Sequence, residues 1–137
     1  MRVTILLDTN FLIMMARGLI PPSSIGDVVK ASYTLATTDA VIRELSSMRE
    51  RGGLLGRAAS FALELTKRLD VAVIATGHGD ADKSLLELAK ALRLKGEVVA
   101  VATSDKELRR RLKEAGVPTI YYREEGATLE VDWEPLQ

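Results

Sequence analysis

The feature that most restricts how this chain can fold is an alternation. Short apolar runs at residues 3–7, 33–36, 71–75, 98–102 and 119–122 are separated by longer stretches whose apolar residues recur at helical spacing. Several of the runs are near-continuous Val, Ile, Leu and Ala rather than apolar–polar alternations. That pattern belongs to parallel strands covered on both faces, because a strand with one wet face alternates. Helices are expected over 9–17, 24–31, 39–51, 54–69, 81–95 and 105–115. In the 81–95 stretch Leu85, Leu88, Ala89 and Leu92 fall on one stripe, Lys83 and Glu87 are spaced to pair on the wet side, and Gly96 closes the helix. Gly116, with Pro118 just beyond, closes the next one. Strands alternating with helices give an α/β domain with a mainly parallel, five-stranded sheet. Residues 128–131 are expected either to add an edge strand or to wrap the surface.

A chain of 137 residues supports one core of ordinary size, so residues 1–137 are read as a single domain. The absence of Cys excludes disulfide frameworks, thiolate metal sites and thiol nucleophiles. The only histidine, His78, leaves no basis for a His-rich metal site. Lys and Arg number 19 and Asp and Glu number 19, so no overall basic charge advertises nucleic acid, although local patches can still do so. The opening MRVTILLD is too short to span a bilayer and lacks a small-residue cleavage site. A cytoplasmic protein with no membrane partner is expected. Asn10 is the single asparagine and Gln137 the single glutamine, an amide depletion of the kind heat-adapted chains show.

Open α/β sheets bind ligands beyond the carboxyl ends of their strands, so the side chains placed there matter most. The first run leads into Asp8, Thr9 and Asn10. The third leads through Gly77, His78, Gly79 and Asp80 to Asp82, and the fourth into Thr103, Ser104 and Asp105. The 39–51 helix, opening at the same edge, carries Glu44 among Val41, Ile42 and Leu45, which argues for a partly buried face. Each acid has an ordinary structural account. Asp8 could cap a helix, Asp82 could favour a helix start, and a Ser104–Glu107 capping box would make Asp105 a first-turn acid. Together, four carboxylates at one edge repel, and each raises its neighbours' pKa unless a cation intervenes. Arg43 points about 100° around the helix from Glu44 and does not neutralise it. Ligation by oxygen alone is the chemistry of Mg²⁺ or Mn²⁺.

The segments DTN, AVIREL, DADKSLLELA and TSDKELRRRL resemble, in this order, the motifs of the PIN-domain family, and the resemblance runs from residue 3 to about residue 123. It implies the strand order 3-2-1-4-5 and a divalent-metal-dependent endoribonuclease that leaves 5′-phosphate and 3′-hydroxyl ends. Its acidic quartet falls on Asp8, Glu44, Asp82 and Asp105 as catalytic and metal-ligating residues. Asn10 stands as a polar supporter of the first acid, and Thr103 or Ser104 at a position that often holds a hydroxyl. The stretch VATSDKELRRRLKEAGVPTIYYR is more similar to the ribosome-processing branch of the family than to VapC-type toxins. The partners implied are therefore RNA and a pre-ribosomal particle, or an antitoxin on the toxin reading, with a homodimer also in keeping with the family.

Backbone contacts to RNA need positive charge. Arg43, Arg49, Arg51 and Arg57 flank the Glu44 helix and are the RNA-binding candidates, whereas Arg109, Arg110 and Arg111 point different ways on one helix and are read as a solvated face. Aromatic residues make up 4% of the chain, so no stacking platform is expected, and Tyr121, Tyr122 and Trp133 are read as packing residues. A dinucleotide-binding domain fits poorly, because Asp80 and Asp82 would repel a pyrophosphate at the Gly77–Gly79 loop. A receiver-type signalling domain would need a paired acid after the first strand, where Asp8 stands alone. A PIN scaffold that binds ribonucleoprotein without cutting is disfavoured by the complete acidic quartet.

Overall fold

A computed structural model of the chain describes residues 1–132, and Trp133 lies outside the described residues. Six strands form one sheet: β1 (Arg2–Leu7), β2 (Ser32–Thr38), β3 (Ala72–Ile74), β4 (Val98–Ala102), β5 (Thr119–Arg123) and β6 (Thr128–Val131). Their order is β3-β2-β1-β4-β5-β6. The first five are parallel and stand in the expected order, and β6 runs antiparallel to β5.

The sheet therefore has one strand more than the five expected. The chain reverses after β5 through Gly126 at φ 89° and Ala127 at φ 50°, a left-handed bend that glycine enters without steric cost. Ile120 then pairs with Val131 and Arg123 with Thr128. Asp132 fastens the end of the hairpin, accepting hydrogen bonds from the Thr119 amide at 2.9 Å and from the Thr119 hydroxyl.

Six helices cover the sheet: α1 (Thr9–Ala16), α2 (Ser23–Val29), α3 (Asp39–Arg51), α4 (Gly53–Arg68), α5 (Ala81–Leu94) and α6 (Lys106–Glu114). The central strands carry the core. Ile5, Leu6 and Leu7 of β1 and Val99 to Ala102 of β4 are buried, so consecutive residues face both covered sides, as their unbroken apolar runs require. β3 departs from that rule. Among the described residues it pairs only with β2, over three residues, and leaves Ala72 and Val73 exposed, so its apolar run marks a sheet edge instead of a covered strand.

In α5, Leu85 and Ala89 are buried as their spacing requires, but Glu87 pairs with Lys90 at 3.8 Å instead of with Lys83. A Lys placed four residues ahead of a Glu is the weaker orientation for such a pair, because it opposes the helix dipole. Among the described residues no helix is long and apolar enough to cross a membrane.

Helices α3 and α4 pack so closely that any side chain at position 56 would crowd the α3 backbone. A Cβ there would lie 3.0 Å from the Met48 carbonyl oxygen and 3.2 Å from that of Arg49, both backbone atoms. Gly56→Ala should therefore lower stability by roughly 1–2 kcal/mol, the overpacking outweighing the helix propensity that alanine adds. Thermal melts of the two proteins check this, and a variant that melts above the parent would contradict it.

Candidate active site

The chain leaves β1 at Asp8, whose amide donates to the Ala102 carbonyl at 3.1 Å and extends the β1–β4 ladder by one bond. Its Oδ1 accepts from the Phe11 amide at 2.7 Å, which makes Asp8 the N-cap of α1. The residue is only 5% exposed. Burial raises its pKa from 3.8 to about 6, the charges of Asp82 and Asp105 add to the rise, and hydrogen bonds from the Thr103 side chain and the Phe11 amide oppose it. At neutral pH that rise corresponds to roughly 3 kcal/mol against the ionised native state. An exposed N-cap makes the same bond without this cost, so capping alone does not account for a buried carboxylate.

At the end of β4, Thr103 is fully buried and its amide donates to the Ile120 carbonyl at 2.9 Å. Its hydroxyl oxygen accepts from the Asp105 amide at 3.1 Å, so one side chain links Asp8 to Asp105. The Ser104–Glu107 capping box, the ordinary structural account of Asp105, does not form. Ser104 is still beside β5, where its hydroxyl oxygen accepts from the Tyr122 amide at 3.2 Å. Asp105 itself caps α6 through the Leu108 amide at 2.8 Å, and Glu107 pairs with Arg110.

The third side of the site is the start of α5. Asp80, whose role the sequence left open, is the N-cap and accepts from the Lys83 amide at 2.8 Å. Asp82 stands one residue inside the helix. It is open to solvent on one side and covered by protein on the other. That partial burial raises its pKa, and the charges of Asp105, Asp80 and Glu44 raise it further. Glu44 projects from α3 into solvent, where a partly buried face was expected, because Val41 and Leu45 take the core side of the helix. Asn10 is exposed in the first turn of α1.

Two groups that the sequence reading did not single out hold these elements in place. Ser84 is fully buried and bonds the Thr38 hydroxyl at 2.7 Å, tying α5 to the end of β2. Asp39, at the start of α3, accepts from the Thr76 amide at 3.0 Å, the Thr76 hydroxyl at 2.7 Å and the Gly77 amide at 3.2 Å. The hydroxyl bond contributes most to holding the Asp39 carboxyl far below the ordinary range. Its only sequence signal was position, as an acid in the first turn of a helix opening at the same sheet edge.

The cations sort differently from their sequence grouping. Arg43 is tied to Asp39 at 3.5 Å and to the His78 carbonyl at 2.5 Å, so it fixes the loop after β3. Arg49 and Arg51 lie exposed in the last turn of α3, and Arg57 is exposed on α4. Arg109 stacks over the Tyr121 ring at 3.6 Å and reaches Asp132 at 3.5 Å, while Arg110 is held by Glu107 and Glu114. Arg111 pairs with Glu107 at 3.3 Å, and its charge lowers the pKa of Asp82.

Among the described residues, no three acidic or histidine side chains stand together as a ready-made metal cage. The donor chemistry nevertheless fits a hard divalent cation. The set is all oxygen, Asp8 and Asp105 each commit one oxygen to a cap, and Asp8, Asp82 and Asp105 bear mutually unfavourable charge.

The Asp39 clasp gives a pH signature. A carboxyl held below its unfolded value of 3.8 adds stability that is complete above that value and is lost as pH falls below it. Asp39→Asn should therefore melt below the parent at neutral pH, with the difference shrinking in acid. Hydrogen exchange at the Thr76 and Gly77 amides should speed up in the variant. Unchanged exchange there would mean that the clasp does not hold the loop.

This geometry, with acids at three ends of a 3-2-1-4-5 parallel sheet, can be set against known proteins. The PIN domain endonuclease Utp24 has a solved structure that superposes with a TM-score of 0.73 at 21% identity, covering 94% of this chain and 90% of that one. The VapBC-1 structure from nontypeable Haemophilus influenzae aligns at a TM-score of 0.45 and 16% identity, over 81% of this chain and 93% of that one. No curated protein matches. The first likeness is one of fold. A family model described as a PIN like domain matches residues 5–125, from the middle of β1 to the turn after β5, and on that match the chain belongs to the PIN-like domain family.

Proposed function

We propose that this chain is an endoribonuclease, dependent on Mg²⁺ or Mn²⁺, that hydrolyses phosphodiester bonds of RNA. The observation that carries this reading is Asp8, a buried carboxyl at the end of the central strand, destabilised in its ionised form and crowded by Asp82 and Asp105. Folding retains such a group where its charge has a use. When bound, a divalent ion supplies Lewis acidity toward both the phosphate and water.

Asp8 and Asp105 are the residues we assign to hold the ion, each with the carboxylate oxygen that its helix cap leaves over. Asp82 and Glu44, the more exposed pair, orient the attacking water or complete the ligation through water. Thr103 keeps the first two acids in register, Ser104 holds the end of β4 against β5, and Asn10 offers an exposed amide beside Asp8. Attack of water on phosphorus with departure of the 3′ oxygen leaves a 5′-phosphate on one product and a 3′-hydroxyl on the other. The stretch Val101 to Arg123 favours precursor ribosomal RNA as the substrate, through its similarity to the ribosome-processing branch. RNA contacts are assigned to Arg49, Arg51 and Arg57, with Arg43 acting chiefly through the loop that it ties.

Asp8→Asn separates this reading from a structural one. Asparagine caps a helix about as well as aspartate, so a merely structural Asp8 would be replaced almost without effect on activity. On the reading above, the variant loses nearly all cleavage of end-labelled RNA in Mg²⁺ or Mn²⁺. It should also be at least as stable as the parent in metal-free buffer, by up to roughly 3 kcal/mol. Because native Asp8 binds its proton more tightly than the unfolded chain does, parent stability should fall as pH rises from 3.8 to about 6, and this component should vanish in the variant. Millimolar Mn²⁺ should raise the melting temperature of the parent and not that of the variant. Cleavage at the parent's rate by Asp8→Asn would overturn the assignment.

A further inference from the structure

We propose that the loop between β3 and α5 reads one unpaired base of the RNA, which stacks on the imidazole of His78. The proposal rests on the reading of RNA as substrate given above and adds a base-contacting residue to it.

Charge decides which part of an RNA can approach this corner of the site. Asp80 and Asp82 are exposed at the start of α5, and the charges of Asp105, Asp80 and Glu44 already raise the pKa of Asp82. A phosphate placed there meets repulsion from the same carboxylates. A base carries no charge, and its N–H groups can donate to an acid. Single-stranded RNA is recognised in this way, with an unstacked base laid on a flat side chain, histidine included.

The loop offers such a surface and holds it still. Asp39 accepts from the Thr76 amide, the Thr76 hydroxyl and the Gly77 amide. The His78 amide donates to the Thr76 hydroxyl oxygen at 3.3 Å, and Arg43 donates to the His78 carbonyl at 2.5 Å. Both backbone polar groups of His78 are therefore fixed, in a segment that two flanking glycines make costly to order. The half-buried imidazole is left over, and neither of its nitrogens has a partner among the described residues. It also has room. A Cβ at Gly77 or at Gly79 would meet no atom within 4 Å, so open space adjoins His78 on both sides. Other rings near this edge are engaged: Phe11 is fully buried, Arg109 covers Tyr121, and Tyr122 packs against the core. One free ring supports one base.

Equilibrium binding of the intact protein to end-labelled oligoadenylate and oligouridylate, in metal-free buffer where nothing is cut, tests this. The parent should favour oligoadenylate, because a purine overlaps the imidazole more fully. His78→Ala should weaken oligoadenylate binding by about tenfold, with the melting temperature and the salt dependence of affinity unchanged, since no phosphate contact is lost. His78→Phe should restore most of the affinity, because a phenyl ring also stacks. Asp39→Asn, which loosens the loop and keeps the ring, should fall between the parent and His78→Ala. Parent-like binding by His78→Ala would overturn the proposal. So would a salt slope reduced by about one with recovery in His78→Lys and not in His78→Phe, which would make His78 a phosphate contact. A parent that binds neither RNA overturns this proposal and the nuclease reading together. A parent that shows the His78 effects yet cuts nothing in Mg²⁺ or Mn²⁺ supports this proposal and removes the nuclease reading alone.

Discussion

The pairing of β1 with β4 is the contact on which the rest of the site depends. It brings the ends of two fully covered strands to the same level, and its final bond, from the Asp8 amide to the Ala102 carbonyl, sets Asp8 beside Thr103. From there the Thr103 hydroxyl joins Asp8 to the Asp105 backbone, so two acids distant in sequence become neighbours through one buried threonine. The low dielectric that makes these strands a good core is also what makes a carboxylate at their end unfavourable. The two properties cannot be separated, and an edge where ionised carboxyls are unfavourable follows from burying the strands well.

The fold was legible where burial on both faces left an unbroken apolar run, as in β1 and β4. It was less legible at the margins. β6 consists of Thr128, Leu129, Glu130 and Val131, a run short and polar enough to leave an edge strand and a surface wrap both open, and its place depends on a reversal at Gly126 and on Asp132 reaching back to Thr119. β3 misled in the opposite sense. Its Val and Ile read as a covered strand, yet among the described residues nothing pairs along its outer edge, because a hydrophobic run reports β-propensity as well as burial.

The places of Asp8 and Asp105 were legible because a strand end followed by an aspartate fixes where that side chain stands, whereas the exposure of Glu44 was not. The arginines were not, since a helical residue's direction depends on its neighbours across space. Arg109, Arg110 and Arg111 are consecutive, yet one stacks on Tyr121, one is held by two glutamates of its own helix, and one acts on Asp82. Ser84 and Asp39 escaped notice for a related reason. Their partners, Thr38 and Thr76, lie 46 and 37 residues away, and no local pattern announces a hydrogen bond across that distance.

The shortness of β3 has a further consequence. Three residues of ladder hold this strand to the sheet, and the loop that follows it carries Asp80 and Asp82 into α5. Native proteins open first where the fewest backbone bonds must break, and in sheets that is an edge. The cheapest opening is therefore at β3 itself, while Asp8 and Asp105 stay on the central strands and the bond from Ser84 to Thr38 keeps α5, and with it Asp82, tied to β2.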